Sequence, residues 1–179
     1  LSYTDGRGTL GRGLLTGAGV ARGEELAVPP PRHRVTIAAA PPRRPDRQRY
    51  LVEKLGEIGV DRLVWLQTQH GEGRPPRIEK TQAWAIAALQ QSRGARLLDF
   101  GGSASIPELA GPVWVADRGG GAGIAAGDVT ICIGPEAGFA PEEIPAGLPR
   151  FGLGDRVLRV ETASLTAAVL ALHHLGRFG

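Results

Sequence analysis

Short apolar runs recur along the chain and predict five strands. Turn-forming residues bound each run, and the runs are too short for helices. The predicted strands are residues 34–39, 62–66, 96–99, 112–116 and 128–133. The glycine-rich residues 119–127 are expected to form a flexible connection between the last two.

Helical periodicity between the strands predicts three helices. In the first, Leu51, Leu55 and Ile58 fall at i, i+4 and i+7, with Asp46 as the expected cap and Gly59 as the expected stop. The second is expected to end near residue 93, and the third, apolar on nearly every side, is expected to be buried. The predicted helices are residues 46–58, about 77–93 and 161–175. Strands that alternate with helices predict a parallel α/β sheet.

The first thirty residues do not follow this alternation. They are rich in Gly and Arg, and Thr9-Leu10 and Leu14-Leu15 lie between turn signals. This pattern predicts two or three strands of a small β module. Such a fragment could hardly be stable alone.

Composition narrows the class of protein. With 179 residues, one domain with a sizeable core is expected. Cys132 has no second cysteine to pair with, so a reducing, cytoplasmic setting is predicted. Neither a signal-peptide pattern nor an apolar run long enough for a membrane is apparent. Because the chain lacks Met and starts at Leu1, we expect a piece of a longer gene product.

Positive charge is concentrated near the start of the chain. Residues 1–50 contain nine arginines against four acidic residues, although the net charge is only +3. Of the 21 basic residues, 19 are Arg, whose planar guanidinium pairs with phosphate and stacks on bases. This favours a nucleic-acid partner, although a GC-rich genome would also raise the use of Arg.

Two glycine-bearing loops near the end of the chain predict a small-ligand site. One is Ile133-Gly134-Pro135-Glu136-Ala137-Gly138-Phe139, and the other runs from Leu153-Gly154 to Glu161-Thr162-Ala163. Glycine lets the backbone approach a ligand closely, and cofactors bind at the carboxyl ends of parallel strands. Either loop alone would more simply be an ordinary turn with a capping glutamate.

The sequence gives less support to a dinucleotide site or a metal site. The glycines at 11–13 and 119–123 lack the strand and helix frame of a dinucleotide site. The histidines show no metal-ligand spacing with Cys132 or with clustered acids, so no metal site is predicted.

The two loops resemble the signatures of a known family. The second resembles LGxRxLRxETA and the first GPEGG, both of the bacterial 16S ribosomal RNA (uracil-N3)-methyltransferases, the RsmE-like branch of the SPOUT superfamily. Residues 51–61 are similar to that family's segment ending in ELGVD, and Gln91-Ser92 resembles its EQS segment. Thr4-Asp5-Gly6-Arg7-Gly8 looks like its DGxG turn.

The resemblance implies a two-part architecture. The family has an N-terminal PUA-like β-barrel for RNA, then a SPOUT-type parallel sheet with a C-terminal trefoil knot, which is an exception to the usual rules of topology. It assigns residues 1–33 to a truncated PUA-like module and 34–179 to the methyltransferase domain. The knot region binds S-adenosyl-L-methionine, and the proteins are homodimers.

The implied reaction moves a methyl group to N3 of a uridine in 16S rRNA of the small ribosomal subunit. N3–H is weakly acidic, so the base must be aligned and the charge developing on its oxygens stabilised. Arg159 is the first catalytic candidate, because it is a permanent cation, and Glu136 is the second. Thr162 and Glu161 are expected to organise the loop and cap the helix. The implied cofactor residues are Ile133, Gly134, Pro135, Gly138, Leu153, Gly154, Val157, Leu158 and Thr162.

Other positions bear on RNA binding. The cations expected to contact RNA are Arg43, Arg44, Lys54, Arg93 and Arg96. Departures from the family pattern on the presumed RNA-facing side are Gln69, His70, Gln90 and Gly94, and those in the loops are Ala137 and Val160. Two alternatives stay open: a non-catalytic knotted RNA-binding or ribosome-assembly protein, and a SPOUT methyltransferase acting on another RNA position.

Overall fold

A computed structural model describes residues 1–121 and 123–178, which form two sheets. The strands are β1 (Ser2–Thr4), β2 (Thr9–Thr16), β3 (Gly19–Ala27), β4 (Val35–Ala39), β5 (Arg62–Leu66), β6 (Asp99–Ala104), β7 (Val113–Gly121), β8 (Val129–Ile133) and β9 (Arg150–Phe151). The α-helices are α1 (Pro45–Glu57), α2 (Ile78–Ser92) and α3 (Val160–His174). Single 3-10 turns lie at Ile106–Glu108 and Pro141–Glu143.

The larger sheet has six strands in the order β6-β5-β4-β8-β7-β9, and every pair is parallel. The predicted parallel α/β sheet is therefore confirmed. β8 lies between β4 and β7, with Ile133 opposite Ala39 at its end. Because parallel strands end at the same edge, the segments that follow β7, β8 and β9 emerge side by side.

Alternation along the strands builds a core on each face of this sheet. In β4, Val35 and Ile37 belong to the core between the sheet and the three helices, whereas Ala38 belongs to the core on the opposite face of the sheet. Ile131 and Cys132 of β8 divide in the same way. On the opposite face, the core is covered by the segments that follow β6 and β8 instead of by long helices.

Helix α3 packs against β4 and β8 but is covered on one side only. Ala167, Ala168 and Ala171 are fully buried, whereas Val169 and Leu170 are 41% and 42% exposed. The prediction of burial on nearly every side is wrong for this outer face, because none of the described helices covers it.

Helix starts and stops differ slightly from prediction. α1 begins at Pro45, which needs no N–H partner at the first helical position, and Arg44 is its N-cap. Asp46 does not cap the helix; its carboxylate accepts hydrogen bonds from the Arg44 guanidinium at 2.9 and 3.0 Å. Gly59, at φ +82°, follows the end of α1 as expected. α2 ends at Ser92, close to the predicted end near residue 93, and its C-cap Arg93 has a left-handed φ of 54°.

The strand predicted at 96–99 is wrong, because β6 starts at Asp99. Residues 95–97 pair instead with the N-terminal turn: the Leu97 N–H donates to the Gly6 carbonyl, and the Gly8 N–H to that of Ala95, both at 2.9 Å. β6 contains two glycines and a serine, so it carries little of the apolar pattern that identifies a strand.

Part of the predicted glycine-rich connection, residues 119–121, belongs to strand β7. β7 continues through Gly121, whose carbonyl accepts from the Gly152 N–H at 2.9 Å. A Cβ on Gly120 would lie 2.6 Å from the Gly152 nitrogen, so β7 and the residue after β9 approach this closely because glycines meet there. Ala122, within the predicted connection, lies outside the described residues.

The N-terminal residues form a three-stranded antiparallel sheet, β1-β2-β3, which confirms the predicted β module. Asp5 organises its first turn: backbone N–H groups of Thr9 and Arg7 donate to this carboxylate and lower its pKa to about 2. The Arg96 guanidinium donates to the Val28 carbonyl at 2.8 Å, which ties this sheet to the parallel one.

Two further properties concern the described part of the chain. It contains no helix with both the length and the apolar character needed to cross a membrane. It also contains no cluster of three or more His, Cys, Asp or Glu residues suited to a metal ion.

Burial raises the pKa of Cys132 to about 12, so the thiol stays protonated.

Candidate active site

The first loop, residues 134–140, leaves the sheet at the end of β8. Gly134 contacts the ring of Phe139 so closely that an added Cβ would lie 2.9 Å from the ring. The Gly138 N–H then donates to the Pro135 carbonyl at 2.8 Å, and Gly138 has a φ of +78°. The loop is therefore a tight turn with backbone groups exposed at the sheet edge.

The second loop, residues 152–159, leaves the sheet at the end of β9. Phe151, only 2% exposed, anchors it in the core. Gly154 turns the chain with a φ of +97°. Arg159 is the N-cap of α3, and its carbonyl accepts from the Ala163 N–H at 2.8 Å.

These two loops line one cavity of about 330 Å³, which we call the loop pocket. The predicted site residues that line it are Ile133, Gly134, Pro135, Glu136, Gly138, Leu153, Gly154, Val157 and Leu158. Val157 is 75% exposed, so an apolar side chain stands at the rim of the pocket. Residues far apart in the sequence thus form one site, because β8 and β9 end at the same edge.

Two predicted residues lie outside this lining. Arg159 and Thr162 are exposed at the start of α3. Arg159 is the N-cap, and no side-chain capping hydrogen bond to it is seen among the described residues, so the expected cap by Thr162 or Glu161 is wrong. Glu161 is buried and pairs with Arg47 at 3.4 Å, which holds α3 against α1.

The pocket also contains residues that the sequence analysis did not single out. Ala116, Asp117 and Arg118 come from β7, and Arg156 from the second loop. Arg150 donates to Asp117 at 3.3 Å. The position of residues 116–118 at the end of the strand predicted at 112–116 was the available signal, because parallel strands contribute side chains at their carboxyl ends.

A second cavity of about 370 Å³, which we call the basic cleft, adjoins the loop pocket. Pro135, Glu136 and Ala137 line both cavities. The other residues of the cleft are Pro41, Pro42, Arg43, Arg44, Arg47, His70, Glu72 and Gly73. Three arginines against two glutamates give the cleft a positive balance beside the first loop.

The predicted RNA-binding cations occupy different places. Arg43 and Arg44 lie in the basic cleft, where Arg43 pairs with Glu72 at 2.7 Å. Lys54 is paired with Glu57 at the end of α1. Arg93 and Arg96 lie near the N-terminal sheet, away from the cleft. The structure therefore brings together only the first two.

The segment between β5 and α2 crosses the basic cleft and is attached to the first loop. The Gln69 N–H donates to Glu143 at 2.7 Å, and the Gln69 side-chain amide donates to Glu142 at 3.1 Å. The His70 Nδ1 lies 3.1 Å from the Gly138 carbonyl oxygen. This segment is thus attached to the first loop and to the 3-10 turn that follows it.

Gly154→Ala is expected to lower the free energy of unfolding by about 1–2 kcal/mol, because a Cβ is disfavoured at positive φ. Among the described residues, no atom outside the immediate chain neighbours lies within 4 Å of the added Cβ. Backbone strain is therefore the expected source of the destabilisation. Urea denaturation measures the change. Gly17→Ala is the control, since Gly17 has equal space and no positive φ. An equal effect of both substitutions would contradict the assignment to strain.

Comparison with known proteins identifies the family. The family described as "RNA methyltransferase domain" matches residues 29–113 and 114–172. The chain belongs to this RNA methyltransferase family. It is also 30% identical over 194 residues to the ribosomal RNA small subunit methyltransferase E of Mycobacterium bovis, covering 91% of this chain and 74% of the relative.

Solved structures share the fold of this methyltransferase. A probable rRNA-methyltransferase from Porphyromonas gingivalis superposes with a TM-score of 0.85 at 32% identity, covering 98% of this chain and 84% of that one. The ribosomal RNA small subunit methyltransferase E of Neisseria gonorrhoeae, crystallised with S-adenosyl methionine, gives 0.79 at 21% identity, covering 98% and 82%. The RsmE-like resemblance of the two loop signatures is thereby confirmed.

Proposed function

We propose that this protein transfers a methyl group from S-adenosyl-L-methionine to N3 of a uridine in small-subunit ribosomal RNA. The observation that carries the proposal is the convergence of the two signature loops on the loop pocket, with the basic cleft beside it. A cofactor pocket next to a positively charged cleft is the arrangement that methyl transfer to RNA requires.

The loop pocket fits this cofactor. Its volume of about 330 Å³ lies in the range of small-molecule sites. Ile133, Leu153 and Val157 offer apolar surface for an adenosine, and the tight turns at Gly138 and Gly154 expose backbone groups for its polar atoms. The cofactor supplies, when bound, a methyl group on a positively charged sulfur.

The chain's own residues bind and orient the RNA. Arg43 and Arg44 of the basic cleft hold phosphates near the first loop. Arg159, exposed beside Leu158, stabilises the negative charge that develops on the uracil oxygens. Glu136 lines both cavities and lies where base and cofactor meet. Lys54, Arg93 and Arg96 extend the contact to more distant RNA.

The proposed architecture has two domains and a dimer. Residues 1–33 are a PUA-like module, for which the antiparallel β1-β2-β3 sheet is the support. Residues 34–179 are the methyltransferase domain, with the trefoil knot around the two loops and α3. The exposed Val169 and Leu170 on α3 support a homodimer contact. The buried free thiol of Cys132 supports action in the reducing cytoplasm.

Calorimetric titration with S-adenosyl-L-methionine tests the cofactor, and solution mass tests the dimer. We expect saturable binding near one site per chain. A methylation assay on small-subunit RNA, followed by nucleoside mass spectrometry, is expected to yield N3-methyluridine. A product methylated on ribose would contradict the N3 assignment, and RNA binding without cofactor binding would favour a non-catalytic role.

A further inference from the structure

His70 stands where the loop pocket and the basic cleft meet. Its ring lines the cleft, and its Nδ1 lies 3.1 Å from the carbonyl oxygen of Gly138, a residue of the loop pocket. Pro135, Glu136 and Ala137, which line both cavities, belong to the same loop as Gly138. A base placed in the cleft and a cofactor placed in the pocket would therefore both contact this loop where the two cavities adjoin.

The contact with Gly138 identifies the ring nitrogen that carries a hydrogen. A carbonyl oxygen can only accept a hydrogen bond, so Nδ1 must carry the hydrogen. In the neutral ring, Nε2 is then an unprotonated acceptor on the opposite edge. Within residues 1–121 and 123–178, no protein group hydrogen-bonds to Nε2. The ring therefore presents a free basic nitrogen.

The ring is held in place by its neighbours on the chain. Gln69 makes two hydrogen bonds to the 3-10 turn at Pro141–Glu143. Glu72 pairs with Arg43 at 2.7 Å across the cleft. Gly73 approaches the Pro41 carbonyl so closely that a Cβ there would overlap it. The segment on both sides of His70 is thus attached, and the imidazole needs little reorganisation to act.

We propose that His70 is the general base of the reaction, accepting the N3 proton of uracil on Nε2. This inference rests on the proposed function. The N3–H bond breaks and its proton passes to Nε2. The electron pair of N3 forms the new bond to the methyl carbon, and the electrons of the broken S–C bond stay on sulfur. The products are methylated uridine, S-adenosylhomocysteine and an imidazolium ion.

Other groups in the two cavities are less suited to this step. Carboxylates are weaker bases than imidazole, and the N3 proton is only weakly acidic. Glu72 and Asp117 are further committed to ion pairs with Arg43 and Arg150.

Two substitutions at one position separate a base from an anchor. In His70→Asn, the side-chain amide nitrogen takes the place of Nδ1 and can still donate to Gly138, but no basic nitrogen remains. His70→Ala removes both functions. We expect His70→Asn to lower kcat by about 10²–10⁴-fold, with KM for RNA and calorimetric cofactor affinity nearly unchanged. His33→Asn, outside both cavities, is the matched control and is expected to leave kcat unchanged.

A readout independent of activity is the imidazole tautomer. Nitrogen-15 NMR of the whole protein is expected to show His70 with hydrogen on Nδ1, and this signal should disappear in His70→Asn. Hydrogen on Nε2 would overturn the proposal, as would wild-type kcat in His70→Asn, which would leave His70 as an anchor of the first loop. If the wild-type protein methylates another atom, the proposed function fails; if it yields N3-methyluridine and His70→Asn is equally active, only the role of His70 fails.

Discussion

Replacing Arg159 with Ala is expected to lower kcat for methyl transfer by about 10²–10³-fold, the loss typical when one group facing a developing anion is removed. Arg159 directly follows Leu158 of the loop pocket and is exposed. Its side chain makes no capping hydrogen bond on α3, so its charge is free to meet RNA. Measurement of kcat and KM on small-subunit RNA checks this.

Loss of the Arg159 side chain should leave the fold unchanged. Arg159 is the N-cap of α3 but makes no side-chain capping bond, so the free energy of unfolding is expected to change by less than about 0.5 kcal/mol. Arg77→Ala is the matched control, because Arg77 is also an exposed N-cap arginine without a capping bond, on α2. We expect Arg77→Ala to retain activity. If cofactor affinity collapsed in Arg159→Ala, the arginine would order the second loop instead of facing the substrate.

Phe151→Ala is expected to have the largest effect on stability, lowering the free energy of unfolding by about 3–5 kcal/mol. Phe151 is 2% exposed and packs in the core between the sheet and the helices. In β9 it pairs with Ala116 and Gly121 of β7, and the second loop begins at the next residue. Loss of this ring should therefore also weaken cofactor binding, because the loop loses its anchor.

Phe178→Ala makes the same chemical change at a position that is 42% exposed. We expect its unfolding free energy to stay within about 0.5 kcal/mol of the wild type. Urea denaturation of both variants, with calorimetric titration of the cofactor, measures the two effects. A loss below about 1 kcal/mol in Phe151→Ala would mean that β9 is not the anchor of the second loop.

Where periodicity was strong, the sequence predicted the elements closely. The strand at 62–66 is reproduced without change, and the helix predicted at 161–175 appears as Val160–His174. Apolar side chains set these elements because each needs one face away from water. Prediction failed at β6 and at the end of β7, where glycines carry no pattern and pairing with distant backbone decides the structure.

The candidate site was only partly predictable. The two loop signatures resemble those of a known family, so the cofactor residues of both loops could be singled out from local motifs. His70 and Arg118 carry no such signature. His70 contacts Gly138, which lies 68 residues further along the chain. Arg118 reaches the loop pocket because its strand, β7, lies between β8 and β9 in the sheet.

The sequence by itself determined the α/β class, the β module at the N-terminus and the family to which the chain belongs, because periodicity and motifs are local properties. Only the tertiary structure decided that the two loops share one pocket, that Arg43 and Arg44 form a cleft beside it while Arg93 and Arg96 do not, and that α3 keeps an exposed face. Those outcomes depend on the order in which parallel strands pair, and strand order is set by packing across the whole sheet, which no local pattern contains.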